Sequence, residues 1–345
     1  MHDEPDLTRL RDTRFLAHTQ VAIPLICGPM YPCSNPELVA AVSAAGGLGV
    51  VQPLSLTFVH GHEFRAGLRK IRASTRNPIG MNALIEQSSR RYLERMERWI
   101  EIALEEDVRF FITSLGNPGW VVRRVEAAGG VVYHDVTERK WAEKGLDAGV
   151  HGLIAVNARA GGHAGRHEAP YLLEALATFD VPKICAGGIG SAEQFAAAIA
   201  LGYAGCQLGT RFIATPECNA SAAYKQAILD AGEADIALSE RITGVPVSII
   251  RTPYVERQGL KAGPIARWML RGARSKHWMR MWFTLRSALQ LKRSLLDTDT
   301  RVEFWQAGKS AAVIDRLESA GGIVDTFGAR ITCPVVRPAT RPSSG

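Results

Sequence analysis

Two glycine turns and one histidine carry most of the chemistry this sequence can do. Gly187-Gly188-Ile189-Gly190 follows a short apolar run and leads into Ser191 and Gln194, which have capping-box spacing. Glycine lets the backbone approach a ligand closely, and the first N–H groups of a helix lack partners within it, so the combination makes an anion site. The next apolar run ends in Gln207-Leu208-Gly209-Thr210, which adds N–H and hydroxyl donors. The plainer account is that these glycines only make tight turns. Two such turns in succession favour a phosphate. His163 closes the small-residue loop Ala160-Gly161-Gly162-His163. Histidine exchanges a proton near neutral pH, and a glycine-lined approach lets a flat ligand lie against the backbone. A lone histidine is more often structural, but this one has no bulky neighbour on its loop. His134 ends another apolar run and is expected at the same mouth, either touching a cofactor ring or satisfying a nearby backbone group. Gly28-Pro29-Met30 offers a carbonyl and a soft apolar side chain, and Asn82 an amide with two-point complementarity to a heterocycle. Core packing for Met30 and a turn for Asn82 are the simpler roles.

Positioning these groups takes a repeating scaffold. Eight strand-like runs occur: 24–29, 48–52, 79–84, 109–114, 131–134, 152–156, 183–186 and 206–208. Helical stretches separate them. The first has Ser34 and Glu37 at capping-box spacing and closes at Gly46; others are read at 58–73, 89–106, after Asn117-Pro118, and at 138–147, 169–178 and 191–201. Eight strands with a helix after nearly every one is the count of a (β/α)8 TIM barrel, whose site lies at the carboxyl ends of its strands. An open doubly wound sheet usually carries a GxGxxG turn after its first strand, and here that turn reads Gly28-Pro29-Met30-Tyr31-Pro32. The barrel is expected over residues 1–216. Residues 217–300 read as a helical cap or insertion, 301–332 as a return to the barrel with a final helix at 311–320, and 333–345 as a disordered tail.

Composition narrows the class further. The 345 residues are 46% hydrophobic and 22% charged, enough for a full core. No eighteen-residue apolar run is present and the first fifteen residues are charged throughout, so neither a membrane span nor a signal peptide is expected. The six cysteines form no CxxC pair, and a reduced cytoplasmic setting fits them. Cys33 and Cys218 fall near expected loops. The net charge of +7 is local: residues 257–296 hold ten Lys/Arg and no acid, while the rest carries 31 basic against 34 acidic residues. That argues against a general nucleic-acid surface. In that segment Trp278, Met281, Trp282, Leu285, Ala288, Leu289 and Leu295 fall on one helical face. Packing of this stripe on the barrel is the plain reading; docking of an acidic carrier, attraction of a pyridine nucleotide or contact with an anionic membrane surface are the others.

The sequence has no HExxH, metal-ligand cluster, Walker loop or GxSxG. A flavin suits what remains: phosphate turns for its tail, amides for its ring and one base nearby.

Together, Gly28-Pro29-Met30, Gly80-Met81-Asn82, Ala160-Gly161-Gly162-His163, Ala186-Gly187-Gly188-Ile189 and Gln207-Leu208-Gly209-Thr210-Arg211-Phe212 resemble nitronate monooxygenase, formerly 2-nitropropane dioxygenase. The likeness runs in order from about residue 20 to 220, and 305–324 looks like the family's closing helix. It implies an FMN-binding barrel with a helical second domain over its mouth. It also implies that His163 is the catalytic residue. The phosphate would lie on Gly187, Gly188, Gly209 and Thr210, and the ring against Pro29, Met30 and Asn82, with Gly28, His134, Ala160, Gly161, Gly162 and Gln207 completing the cofactor site. Nitronate and dioxygen would be the substrates, carbonyl compound and nitrite the products. Val156, Arg159 and Asp135 depart from the family, whose members often carry Gln or Glu, an acidic residue and, in some, lysine there. The superfamily also holds NAD(P)H-dependent enoyl-acyl-carrier-protein and quinone reductases. A flavoprotein that binds without catalysis is the remaining alternative.

Overall fold

Strand and helix alternate through the first two thirds of the chain because apolar runs buried on both faces are interrupted by amphipathic stretches. The computed structural model describes residues 10–85, 90–241, 246–261 and 303–332. The first half of the repeat is β1 (Leu25–Cys27), α2 (Pro36–Ala44), β2 (Leu48–Val51), α3 (Phe64–Ser74), β3 (Ile79–Leu84), α4 (Arg90–Glu105) and β4 (Phe110–Ser114). The second is α5 (Gly119–Glu126), β5 (Val131–Val136), α6 (Arg139–Asp147), β6 (Gly152–Val156), α7 (Ala169–Ala175), β7 (Lys183–Ala186), α8 (Ala192–Leu201) and β8 (Gly205–Leu208). All eight strands are parallel and pair in chain order, and β8 returns to β1, so the sheet is a closed TIM barrel.

Each strand buries two faces. Ile26, Leu48, Val50, Phe110, Ile112, Tyr133, Ile154 and Ile184 fill the interior. Below them the short helix α1 (Arg14–Thr19) inserts Phe15, whose ring lies edge-on to Phe110 and Tyr133 at 5.9 Å each. The alternate residues, among them Met81, Phe111, Val132, Leu153, Cys185 and Cys206, face the helices. On α4, Met96, Trp99, Ile100 and Ala103 form the buried stripe, each large side chain contributing about 1.5–3 kcal/mol by its removal from water.

Several expectations shift in detail. Ser34 and Glu37 do not form a capping box: Pro36 fixes the first turn of α2, Asn35 is the N-cap, and Ser34 Oγ instead accepts the Met30 N–H at 2.8 Å. The helix expected from residue 58 is a π-turn, Ser55–Val59, followed by α3. After β8 come α9 (Thr210–Ile213) and α10 (Ala222–Asp230), but the chain then makes an antiparallel hairpin, β9 (Ile236–Ser239) with β10 (Val247–Ile250), before α11 (Pro253–Gln258). The all-helical reading of 217–300 therefore fails across the hairpin. The hairpin is held by tertiary pairing: Ser248 N–H donates to Gly162 O at 2.7 Å and Ile250 N–H to Trp305 O at 2.9 Å. The final helix is also displaced. Residues 309–313 form a 3-10 turn, and the helix is α12 (Ala320–Thr332), packed on α2 and α8. The basic segment beyond Lys261 and the tail from Cys333 lie outside the described residues.

Candidate active site

The interior apolar layers end below the carboxyl rim. The next inward position carries an amide or a carboxyl on four strands: Gln52 after Val50, Asn82 after Gly80, Asp135 after Tyr133, and Gln207 after Gly205. Gln52 Oε1 accepts the Ser55 N–H at 2.6 Å. The other three each hold a buried oxygen without a hydrogen-bond partner among the described residues: Asn82 Oδ1, Asp135 Oδ1 and Gln207 Oε1. Leaving a buried acceptor unmet costs about 1–3 kcal/mol, so a ring of them marks a place built for a ligand with donors.

Around this crown stand the glycine turns. Gly187 and Gly188 have φ of +114° and +77°, open to glycine and strained for other residues. A Cβ on Gly187 would sit 2.5 Å from Asn157 Oδ1 and 2.6 Å from the Ala160 nitrogen. The turns after β6 and β7 are thus pressed together, and Asn157 bolts them. It is fully buried, donates from Nδ2 to Gly187 O at 2.9 Å, and accepts the Arg159 N–H at 2.8 Å. Ser191 and Gln194 form the expected capping box, which takes up the amides of Gly190 and Ser191. No described hydrogen bond takes up the amides of Gly187, Gly188, Gly209 or Thr210.

The rim is completed from distant sequence. Gly308 N–H donates to Thr210 Oγ1 at 2.9 Å, and a Cβ on Gly161 would lie 2.9 Å from the Gly308 nitrogen. Lys309 N–H donates to Arg159 O at 3.0 Å. Arg159 clasps Glu233 through both guanidinium nitrogens, at 2.9 and 2.6 Å, and Lys309 Nζ reaches the same carboxylate at 3.3 Å. Tyr224 stacks on Trp305 and donates to Gln306 O. On the other side, Met30 Sδ lies 3.4 Å from a Cβ position on Gly209, and a Cβ on Gly28 would meet Gln207 Cγ at 2.8 Å. Pro29 lies half-buried between them.

His163 stands on the loop that the Ser248 bond holds at Gly162. Its side chain is exposed, yet desolvation lowers its pKa below the ordinary 6.5. The ring is neutral at pH 7, and no described residue binds it.

Gly28, Met30, Ala160, Gly161, Gly187, Gly209 and Thr210 are brought into one rim, with Asn82 and Gln207 in the crown beneath. His134 is not among them. It occupies the outward face of β5, where its Cδ2 lies 3.2 Å from a Cβ position on Gly145 of α6 and its Nδ1 pairs with Thr113 Oγ1 at 2.9 Å. Burial holds it neutral, with a pKa of about 4. The neighbour facing the mouth is Asp135. Asn157 and the Gly308 turn were also missing from the sequence-based site. A polar residue directly after an apolar strand is a usable signal for the first; the second is visible only through its contacts.

The fold is a closed barrel with a glycine-turn rim, and comparison with known proteins makes the chain an oxidoreductase of the flavoenzyme class. The family model for nitronate monooxygenase matches residues 13–328, and the chain belongs to that family. It is 28% identical to the (3aS,4S,5R,7aS)-5-hydroxy-7a-methyl-1-oxo-octahydro-1H-indene-4-carboxyl-CoA dehydrogenase of Mycobacterium tuberculosis, over 84% of this chain and 88% of the relative. It is also 28% identical to the nitronate monooxygenase of Pseudomonas aeruginosa, over 68% of this chain and 77% of that one. The structure of FabK from Thermotoga maritima superposes with a TM-score of 0.76 at 26% identity, covering 93% of this chain and 96% of the other. Among the described residues, no helix is long and apolar enough to cross a membrane, and no three His, Cys, Asp or Glu side chains are grouped to hold a metal ion.

Proposed function

We propose that this chain binds FMN in the rim and oxidises alkyl nitronates with dioxygen, releasing a carbonyl compound and nitrite. The observation that carries the reading is the exposed, unbonded imidazole of His163 on the loop whose Ala160 abuts Gly187 and whose Gly161 abuts Gly308. The residues fit the cofactor. Asn82 and Gln207 supply buried acceptors that want a donor such as a flavin ring N–H, and Gly187, Gly188, Gly209 and Thr210 supply amides for the phosphate. FMN, when bound, would take electrons from the substrate and pass them to dioxygen. The protein's share is positional. His163 holds or accepts a proton at the substrate, Val156 keeps an apolar wall on the inward face of β6, and Asn157 fixes the two turns against each other.

A second reading has a specific support: the relative named as a carboxyl-CoA dehydrogenase matches more of the chain than the relative named nitronate monooxygenase. On that reading the substrate is a carboxyl-CoA thioester and His163 acts at the carbon that is oxidised. NAD(P)H as reductant is the third. One experiment separates them. Yellow purified protein is mixed anaerobically with propyl-2-nitronate, an acyl-CoA, NADH or NADPH, and bleaching of the flavin band is followed. Rapid bleaching by nitronate supports the proposal, and bleaching by only one of the others assigns the chain to that reading.

A further inference from the structure

Asp135 is the one ionisable side chain in the polar crown, and nothing described so far uses it. The face it occupies is settled by its neighbours: Val132 and Val136 pack toward the helices, whereas Tyr133 points into the barrel, so Asp135 points into the mouth above it. Its Oδ1 is buried without a partner, as are the amide oxygens of Asn82 and Gln207. On the flanking strands the register sets it beside Ile154 of β6, and His134 on its own strand pairs with Thr113 of β4. Ser114, Ile154 and Val156 on these strands carry no charge. His134 turns to the opposite face and is neutral. Asn82 and Gln207 across the crown are uncharged.

Resting on the FMN reading, we propose that Asp135 contacts the flavin ring and sets how much negative charge the ring tolerates. As the neutral acid, Asp135 donates a hydrogen bond to an acceptor on the ring edge, which neither orphaned amide oxygen can do. As the carboxylate it faces the ring at low dielectric and opposes any anionic form of it. Burial alone, with no charged neighbour, raises the pKa of this carboxyl to about 7, which places the change from donor to repelling charge within the working pH range. Many carboxylates at such a rim would be solvated; this one has an oxygen closed off from water.

The probe is sulfite, which adds reversibly to oxidised flavin and leaves the ring negatively charged. Sulfite dissociation constants are measured by loss of flavin absorbance at pH 6 and pH 8 for the wild-type protein, Asp135→Asn and Asp135→Ser. Sulfite's own protonation is common to all three and cancels in the ratios. The wild type is expected to lose about tenfold more affinity than either variant between the two pH values, the equivalent of one pKa unit of coupling. Flat ratios in yellow, folded proteins overturn the role of Asp135 while leaving the cofactor reading intact. A wild-type protein that stays colourless and takes up no FMN overturns the cofactor reading, and this inference with it. Two variants of different shape and no charge guard against a packing defect in either one.

Discussion

Replacing Asp135 by Asn should remove a pH-dependent instability that exists even without cofactor. The carboxyl titrates near 3.8 when free, and at about 7 in the fold, where burial penalises its charge. Its folded pKa is raised, so its contribution is most favourable below 3.8 and is lost as pH climbs toward 7. In that interval the unfolded chain has released the proton and the native one still holds it, so stability falls by about 1.4 kcal/mol per pH unit. Between pH 5 and pH 8 the wild type should therefore lose about 3 kcal/mol that the variant does not, with the slope ending near pH 7. Any fixed effect of the amide is the same at every pH and drops out. All other titrating groups are shared. The assay is urea unfolding of flavin-stripped protein at half-unit pH steps, followed by far-UV circular dichroism, with the difference between the two proteins plotted against pH. Parallel curves would show that Asp135 ionises as freely in the fold as out of it, and the burial argument would fail.

Three further outcomes test other parts of the site. His163→Asn should lower kcat/KM for the substrate by about 100-fold or more with flavin content unchanged, and in the wild type kcat/KM should fall as pH drops through a pKa below 6.5 and stay level above 7. Gly187→Ala forces a side chain onto φ +114° and within 2.5 Å of Asn157 Oδ1, so it should destabilise the protein by about 2 kcal/mol and release flavin on gel filtration; Gly129→Ala, at φ +72° with open space around it, should cost about 1 kcal/mol and keep the flavin. Glu318→Ala strands the buried guanidinium of Arg211, whose Nη2 it binds, and should lower the unfolding free energy by about 3 kcal/mol in urea titrations.

The barrel was legible because its strands are short apolar runs and its turns carry glycines, a combination that survives without tertiary knowledge. The glycine turns of the rim were legible for the same reason. The facing of β5 was not. A strand buried on both sides has no alternation to read, so Val-Val-Tyr-His-Asp-Val gives no sign that Tyr133 and Asp135 point inward while His134 points out. The hairpin at 236–250 was missed because its stability comes from bonds to Gly162 and Trp305, far away in sequence. The displaced last helix has a similar cause. Gly308 and Lys309 are held at the rim by Thr210 and Arg159, and the chain winds into α12 only beyond the turn at 309–313.

The eight strands are complete at Leu208, yet the rim acquires Gly308 and Lys309 only a hundred residues later. A chain emerging from the ribosome would thus close its barrel well before the pocket has its last wall. A product truncated before Gly308 would lack both that wall and α12, whose Ile323, Val324, Phe327 and Ile331 belong to the main core.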